Sequence, residues 1–189
     1  MKKIIMLNRI TIDGFFAGPK GENHEWFVAD PEVDKAGREK VGEADTVLLG
    51  RVTYQLFESH WPKVAKDPKA PKEEQAIGKE LTEMNKVVFS KTMKELSWEN
   101  STLIKDDLVK EVSKLKQGTG PGMLIFGSGT IVQQLTAERL IDEYLFVLTP
   151  VILGAGKTLF KDLKKNNLKL LDARNFKSGN VLLHMKLAN

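Results

Sequence analysis

Met123-Leu124-Ile125-Phe126-Gly127-Ser128-Gly129-Thr130-Ile131-Val132-Gln133-Gln134-Leu135 is the stretch whose reading decides the fold. Four apolar residues, enough for a buried strand, run straight into Gly-Ser-Gly, and an amphipathic segment begins at once. A glycine-rich turn between a strand and a helix strips side chains from backbone N–H groups. The helix dipole adds positive potential at the same place, so the turn reads as a phosphate seat. The other reading is a tight connection that uses glycine only for its turn geometry.

Two further strand ends bear on that choice. Leu48-Leu49-Gly50-Arg51-Val52-Thr53-Tyr54 repeats the strand–Gly–helix order, with Arg51 and Thr53 in the first helical turn. Arginine offers a fork of donors to phosphate oxygens and a threonine hydroxyl can donate beside the free amides. Taken alone, the pair also fits a surface arginine and a capping threonine. Two such turns in a small α/β chain suit a dinucleotide, which has more than one phosphate to seat. Val88-Phe89-Ser90-Lys91-Thr92 ends a third buried strand in two hydroxyls and a cation. Ligands of open α/β sheets bind at the carboxyl ends of strands, and Ser90 with Lys91 would suit the extra phosphate that distinguishes NADPH from NADH. A solvated strand end is the alternative.

Around these turns the pattern alternates. Strands are expected over Lys3–Ile12, Thr46–Leu49, Lys86–Ser90, Thr102–Ile104 and Tyr144–Leu153. Helices are expected from Pro31, capped by Asp30, to about Glu43, and on to about His60 with Val52, Leu56 and Phe57 as an apolar stripe. Pro62 to Lys72 reads as an exposed loop, Glu73–Met84 as a helix, and Asp106 as the cap of a helix with Leu108, Val112 and Leu115 inward. Two terminal strands, near Leu168–Phe176 and Val181–Leu187, flank a hairpin signal at Lys177-Ser178-Gly179-Asn180. The fold class is therefore α/β, with a mainly parallel central sheet and an antiparallel C-terminal edge hairpin.

Bulk properties narrow the function. With 189 residues, 41% hydrophobic and 29% charged, the chain is expected to form a single domain over 1–189. No apolar run reaches the ~20 residues that span a bilayer, and the apolar run after Lys2-Lys3 is too short for a signal peptide, so no membrane partner and a cytoplasmic setting are expected. The absence of cysteine rules out disulfides and thiolate ligands. The net charge of +4 comes from lysines interspersed with acids, which suits an anionic small molecule and not nucleic acid.

Conventional catalytic sets are missing. His24, His60 and His184 lack metal-ligand spacing, so no metal is expected, and Ser128 lacks the Gly-x-Ser-x-Gly context of a nucleophile elbow. Gly127-x-Gly129-x-x-Val132 lacks the third glycine of the Rossmann fingerprint. Gly154-Ala155-Gly156-Lys157-Thr158 looks like the end of a P-loop, but Val151 occupies the place of its first glycine. An enzyme without an evident acid, nucleophile or metal points to a cofactor that supplies the chemistry.

Five short markers in order resemble the dihydrofolate reductase superfamily, in particular the branch related to the reductase domain of the bifunctional riboflavin-biosynthesis deaminase-reductase. They are Thr11-Ile12-Asp13-Gly14-Phe15-Phe16-Ala17-Gly18, Leu49-Gly50-Arg51-Val52-Thr53-Tyr54, Val88-Phe89-Ser90-Lys91, Phe126-Gly127-Ser128-Gly129-Thr130 and Thr149-Pro150-Val151-Ile152-Leu153-Gly154-Ala155-Gly156-Lys157. The resemblance covers nearly the whole chain and implies a dihydrofolate-reductase-like three-layer αβα fold and NADPH-dependent reduction of a small heterocyclic (pterin- or pyrimidine-like) or carbonyl substrate. It implies Gly50, Arg51 and Thr53 at the cofactor phosphates, Ser90 and Lys91 near the adenosine end, and Phe126, Gly127, Ser128, Gly129, Thr130 and Ile131 along the pyrophosphate. The matching glycine pair of dihydrofolate reductases carries a cis peptide. Ser128 in place of the second glycine raises the cost of that geometry to ~3 kcal/mol, while its N–H stays on offer to phosphate.

The folate-binding acid of that family has no match at Asp30 or Asp34, which argues against folate as substrate. Asn8, Asp13 and Trp26 are expected to line the substrate side, with Asp13 as proton donor or as the group orienting a donating water. Asp13 could equally be a turn residue and Trp26 core. The C-terminal hairpin and Tyr144–Leu148 leave an apolar sheet region needing cover, and the resemblance implies a homodimer. The other function in view is a noncatalytic nucleotide-binding regulatory protein on the same fold.

Overall fold

A computed structural model describes residues 1–21 and 25–188; His24 lies outside the described residues. The elements are β1 (Ile4–Thr11), β2 (Phe15–Ala17), α1 (Pro31–Val41), β3 (Thr46–Gly50), α2 (Arg51–Val64), α3 (Lys72–Glu83), β4 (Asn85–Phe89), β5 (Ser101–Ile104), α4 (Leu108–Gln117), β6 (Met123–Phe126), α5 (Gly129–Ala137), β7 (Glu143–Thr149), β8 (Lys157–Thr158), β9 (Leu168–Asn175) and β10 (Val181–Leu187).

Eight strands form one sheet in the order β5-β4-β3-β6-β1-β7-β10-β9. Pairing from β5 to β7 is parallel, and β10 joins antiparallel to β7 and to β9. The mainly parallel sheet with an antiparallel edge hairpin is thus the one the alternating pattern implied. The inner strands are apolar on both faces because both faces are covered. Ile5, Leu124, Leu145 and Val147 pack under Val33 and Ala36 of α1, and Val47, Leu49 and Val88 pack under Tyr54 of α2 and Leu81 of α3. On the opposite face Ile4, Met6, Leu48 and Ile125 meet Leu108 and Val112 of α4 and Val132 and Leu135 of α5. The result is three layers, α1–α3, sheet, and α4–α5.

Four local expectations are corrected. α2 does not stop near His60 but runs through Pro62 to Val64, closing with the Ala65 N–H on Trp61 O at 2.9 Å, so His60 is helical. The reason is tertiary: α3 crosses so closely at Gly78 that a Cβ there would stand 2.9 Å from Trp61 O and 3.1 Å from Ala65 Cβ. Only glycine permits that contact, and it holds the last turn of α2 in place despite the lost N–H. The cap of α4 is Asp107, whose carboxylate accepts from Lys110 N at 2.8 Å, and not Asp106. β7 ends at Thr149 because Pro150 has no N–H to continue a ladder. Beyond it, β8 pairs with β2 in a two-stranded sheet that the sequence pattern did not suggest.

Candidate functional site

The two strand–Gly–helix turns lie side by side at the carboxyl ends of β3 and β6, and Ser128 fastens them together. Its Oγ accepts from Gly50 N at 2.8 Å and donates to Thr53 Oγ1 at 2.9 Å, while its N–H donates to the same Thr53 oxygen at 3.1 Å. Gly127 N donates to Asn8 Oδ1 at 2.8 Å, tying the turn to β1 as well. Gly127 and Ser128 both adopt left-handed backbone, with φ of 54° and 53°, and the bond between them is trans. A left-handed serine costs about 1 kcal/mol relative to glycine, which its three hydrogen bonds offset.

This geometry revises how the glycines and Ser128 act. The Ser128 N–H is not on offer to a phosphate, because Thr53 already takes it. The bare faces of the glycines meet protein: a Cβ on Gly50 would stand 3.4 Å from Ser128 Oγ, one on Gly127 3.3 Å from Thr53 Oγ1, and one on Gly129 2.7 Å from the Phe16 ring. They permit the two turns and Phe16 to close on one another. The donors left over belong to the helix starts. The ladder of α5 begins with Ile131 and Val132 N–H on Ser128 O, at 2.8 and 3.0 Å, which leaves the Gly129 and Thr130 N–H groups outside it. Arg51 is exposed, with a 3.3 Å bond to Gln55 Oε1.

These turns face a cavity of about 1530 Å³. All of the expected cofactor residues line it: Gly50, Arg51, Thr53, Ser90, Lys91 and the run Phe126 to Ile131. Ser90 has a second task, since its Oγ accepts from Thr92 N at 3.3 Å and Met93 N at 3.1 Å and so shapes the loop after β4. Lys91 is exposed at the edge of the cavity. The donor set fits a phosphate-bearing dinucleotide, with free helix-start amides in the middle and cations at Arg51 and Lys91.

The three expected substrate-side residues fare differently. Asn8 lines the cavity but is buried, and its carboxamide oxygen is committed to Gly127. Trp26 does not line it. It is 6% exposed, its Nε1 has no partner among the described residues, and its ring meets Phe27 edge-on at 4.6 Å, so Phe27 takes the cavity wall. Asp13 is also absent from the wall. Its carboxylate accepts from Thr11 Oγ1 at 2.6 Å, Leu153 N at 3.1 Å and Gly154 N at 2.7 Å. Those bonds, led by Thr11, hold its pKa down from 3.8 to about 2. A group held ionised by donors from two loops has no proton to give near neutrality, which favours the turn-residue reading of Asp13 over that of a proton donor.

Beyond the turns the cavity continues between α1 and α2, over Leu7, Phe126 and Val147. Its walls include residues that the sequence reading missed or misassigned. Val52 and Leu56 of the apolar stripe are 68% and 38% exposed because they face this space. Arg9 projects from β1, pairs with Asp34 of α1 at 2.6 Å and lies 5.3 Å over the Phe27 ring. The signal was available: an arginine that follows the apolar run of a parallel strand needs a partner or a purpose. Asp34, set aside for want of a family match, stands on the cavity wall all the same. Among the described residues no group of three His, Asp or Glu side chains could hold a metal ion.

The sequence model of the RibD C-terminal domain matches residues 2–182. Two Bacillus subtilis (strain 168) proteins are similar over nearly their whole length. YyaP is 34% identical over 181 residues, covering 95% of this chain and 92% of its own, and YwjB is 26% identical, covering 97% of each; both are described as uncharacterized. Among solved structures, a putative riboflavin biosynthesis protein from Shewanella sp. PV-4 superposes with a TM-score of 0.69 at 20% identity over 99% of both chains. Dihydrofolate reductase from Enterococcus faecalis, complexed with NADP(H), gives 0.64 at 11% identity over 99% of this chain and 97% of that one.

Proposed function

The chain belongs to the RibD C-terminal domain family, and on that premise we propose that it is an NADPH-dependent reductase, one dihydrofolate-reductase-like domain that acts on a small heterocyclic or carbonyl substrate as a homodimer. The observation that carries the reading is the pair of turns clasped through Ser128, opening on a cavity with space on both sides. In it the Gly129 and Thr130 amides and Arg51 would hold the pyrophosphate, and Ser90 and Lys91 the phosphate of the adenosine end. The bound cofactor would supply hydride. The chain's own part is to fix the two turns in advance through Ser128, Thr53 and Asn8, so that little ordering remains to be done on binding. Phe16, packed against Gly129, closes that end from water.

The noncatalytic alternative needs the same turns but no second space. The extension of the cavity between α1 and α2, walled by Phe27, Leu56 and Phe57, favours an enzyme. Cofactor titration tests the reading. We expect NADPH to bind more tightly than NADH, with the Lys91 contact worth ~1.5–3 kcal/mol and Lys91→Ala narrowing the gap. Equal affinity of the two cofactors rejects the assignment of Ser90 and Lys91.

A further inference from the structure

The loop from Ser90 to Asn100, between β4 and β5, is held at two places, and only the first belongs to the cavity. At its start Ser90 Oγ accepts from Thr92 N and Met93 N, at 3.3 and 3.1 Å, and Lys91 and Thr92 join Ser90 on the cavity wall. The second hold is on α2, at side chains that do not line the cavity. Three donors meet there on one oxygen, Glu58 Oε1: Tyr54 OH at 3.0 Å, Ser97 N at 3.3 Å and Ser97 Oγ. The Tyr54 oxygen in turn accepts from Trp98 N at 3.0 Å. Tyr54 is fully buried, and Glu58 follows it by one turn of the same helix. Between the two holds, Met93 and Leu96 pack against the core around Leu49 and Leu81.

An exposed loop left free would have to be ordered when a ligand arrives, at a cost in conformational entropy. The hold at Glu58 removes that freedom in advance. It also ties the loop to the helix that begins at Arg51 and Thr53 and is clasped through Ser128. One helix thereby fixes two cationic positions relative to each other, Arg51 directly and Lys91 through the loop. We infer that Glu58 is a positioning residue: by tying Ser97 to α2 it presets Lys91, and so sets the preference for a cofactor that carries a phosphate on its adenosine end. The inference rests on the reading of Ser90 and Lys91 given above.

Fluorescence titration of the full chain with NADPH and with NADH tests it. In Glu58→Ala, NADPH should bind about tenfold more weakly, the effect of one hydrogen bond to a charged group, while NADH changes by less than about twofold. The sign is diagnostic, because removing a negative charge would by itself favour the more anionic cofactor. Glu58→Gln should restore the ratio, since its amide oxygen accepts the same three bonds although the charge is gone. Ser97→Ala cuts the tie from an exposed position and should lower the ratio in the same direction. It decides the matter should Glu58→Ala fold poorly. Adding Glu58→Ala to Lys91→Ala should lower the ratio no further than Lys91→Ala alone. A ratio that survives Glu58→Ala and Ser97→Ala while Lys91→Ala lowers it overturns the proposal, as does an equal loss of both cofactors. Equal affinities in the unaltered protein would reject the reading of Ser90 and Lys91 itself, and the inference with it.

Discussion

Asp13 ties two loops together through one carboxylate. It joins the turn after β1 to the Leu153–Gly154 segment, and the donors that do so hold its pKa at about 2 against an ordinary 3.8. A carboxylate whose pKa is depressed on folding adds stability that is fully present above the unfolded value. That stability is lost as pH falls through the folded one. We therefore expect Asp13→Asn to melt at a lower temperature than the unaltered protein near neutrality. The difference should fade as pH drops from about 4 toward 2, while hydride transfer per folded molecule stays near normal. Thermal melts across that range and single-turnover rates at neutral pH check both halves. A variant of unchanged melting temperature with slowed hydride transfer would return Asp13 to the mechanism. Ser128 works on the same principle in the cavity wall, where one hydroxyl bonds Gly50 and Thr53 at once.

At the scale of elements, the loop that carries Ser90 and Lys91 depends on how α3 ends. Lys86 of β4 is fully buried, and its Nζ donates to the carbonyls of Leu81, Thr82 and Met84 at 2.9, 2.9 and 2.7 Å, terminating α3 as a side-chain cap. Its ammonium also lies 4.5 Å over the Trp98 ring. Replacing it with methionine keeps the bulk but strands buried carbonyls, at about 1–3 kcal/mol. Burial pushes the Lys86 pKa down to about 8. Between that value and the ordinary 10.5 the unfolded chain binds more protons, so this residue makes stability rise with pH across the window. Denaturant titration at pH 7 and pH 10 should show that rise in the native sequence and a smaller one in Lys86→Met. The elements themselves were largely legible, because buried parallel strands and capped helices leave strong patterns, as at Asp30-Pro31 and Phe126-Gly127. What escaped was set by distant contacts: α2 continues past Pro62 because Gly78 lets α3 close on it, and the stripe at Val52 does not say whether it meets core or cavity, since the two share one composition. The turns that wall one end of the cavity were legible. The Arg9–Asp34 pair on its far wall was not, since tertiary packing alone brings the two together.

At the scale of the whole molecule, the sheet is covered unevenly. α1 packs over one face of β7 and β10, through Val33 and Ala36 on Leu145, Val147 and Leu182. On the other face, Met185 of β10 stands opposite both Tyr144 and Leu170, and Leu187 opposite Leu168. Tyr144 is buried in the α4–α5 core, but Met185, Leu168 and Leu187 at its rim are only partly covered, with Leu170 at 52% and Phe160 at 40% exposure. An apolar rim of this kind is what a second subunit covers. The free edge of β9 carries Lys169, Asp172 and Arg174, which discourages strand-to-strand addition and leaves face-to-face contact as the favoured geometry. A two-fold pair, the commonest closed arrangement, would bring Leu170 and Met185 of two copies together. Light scattering at micromolar concentration should therefore give twice the chain mass. Leu170→Lys should give the mass of one chain with an unchanged far-UV spectrum, because a position already half exposed tolerates lysine in the isolated subunit. A single-chain mass for the native sequence would mean that the rim stays in water, and that the antiparallel hairpin completes the sheet without serving as an interface.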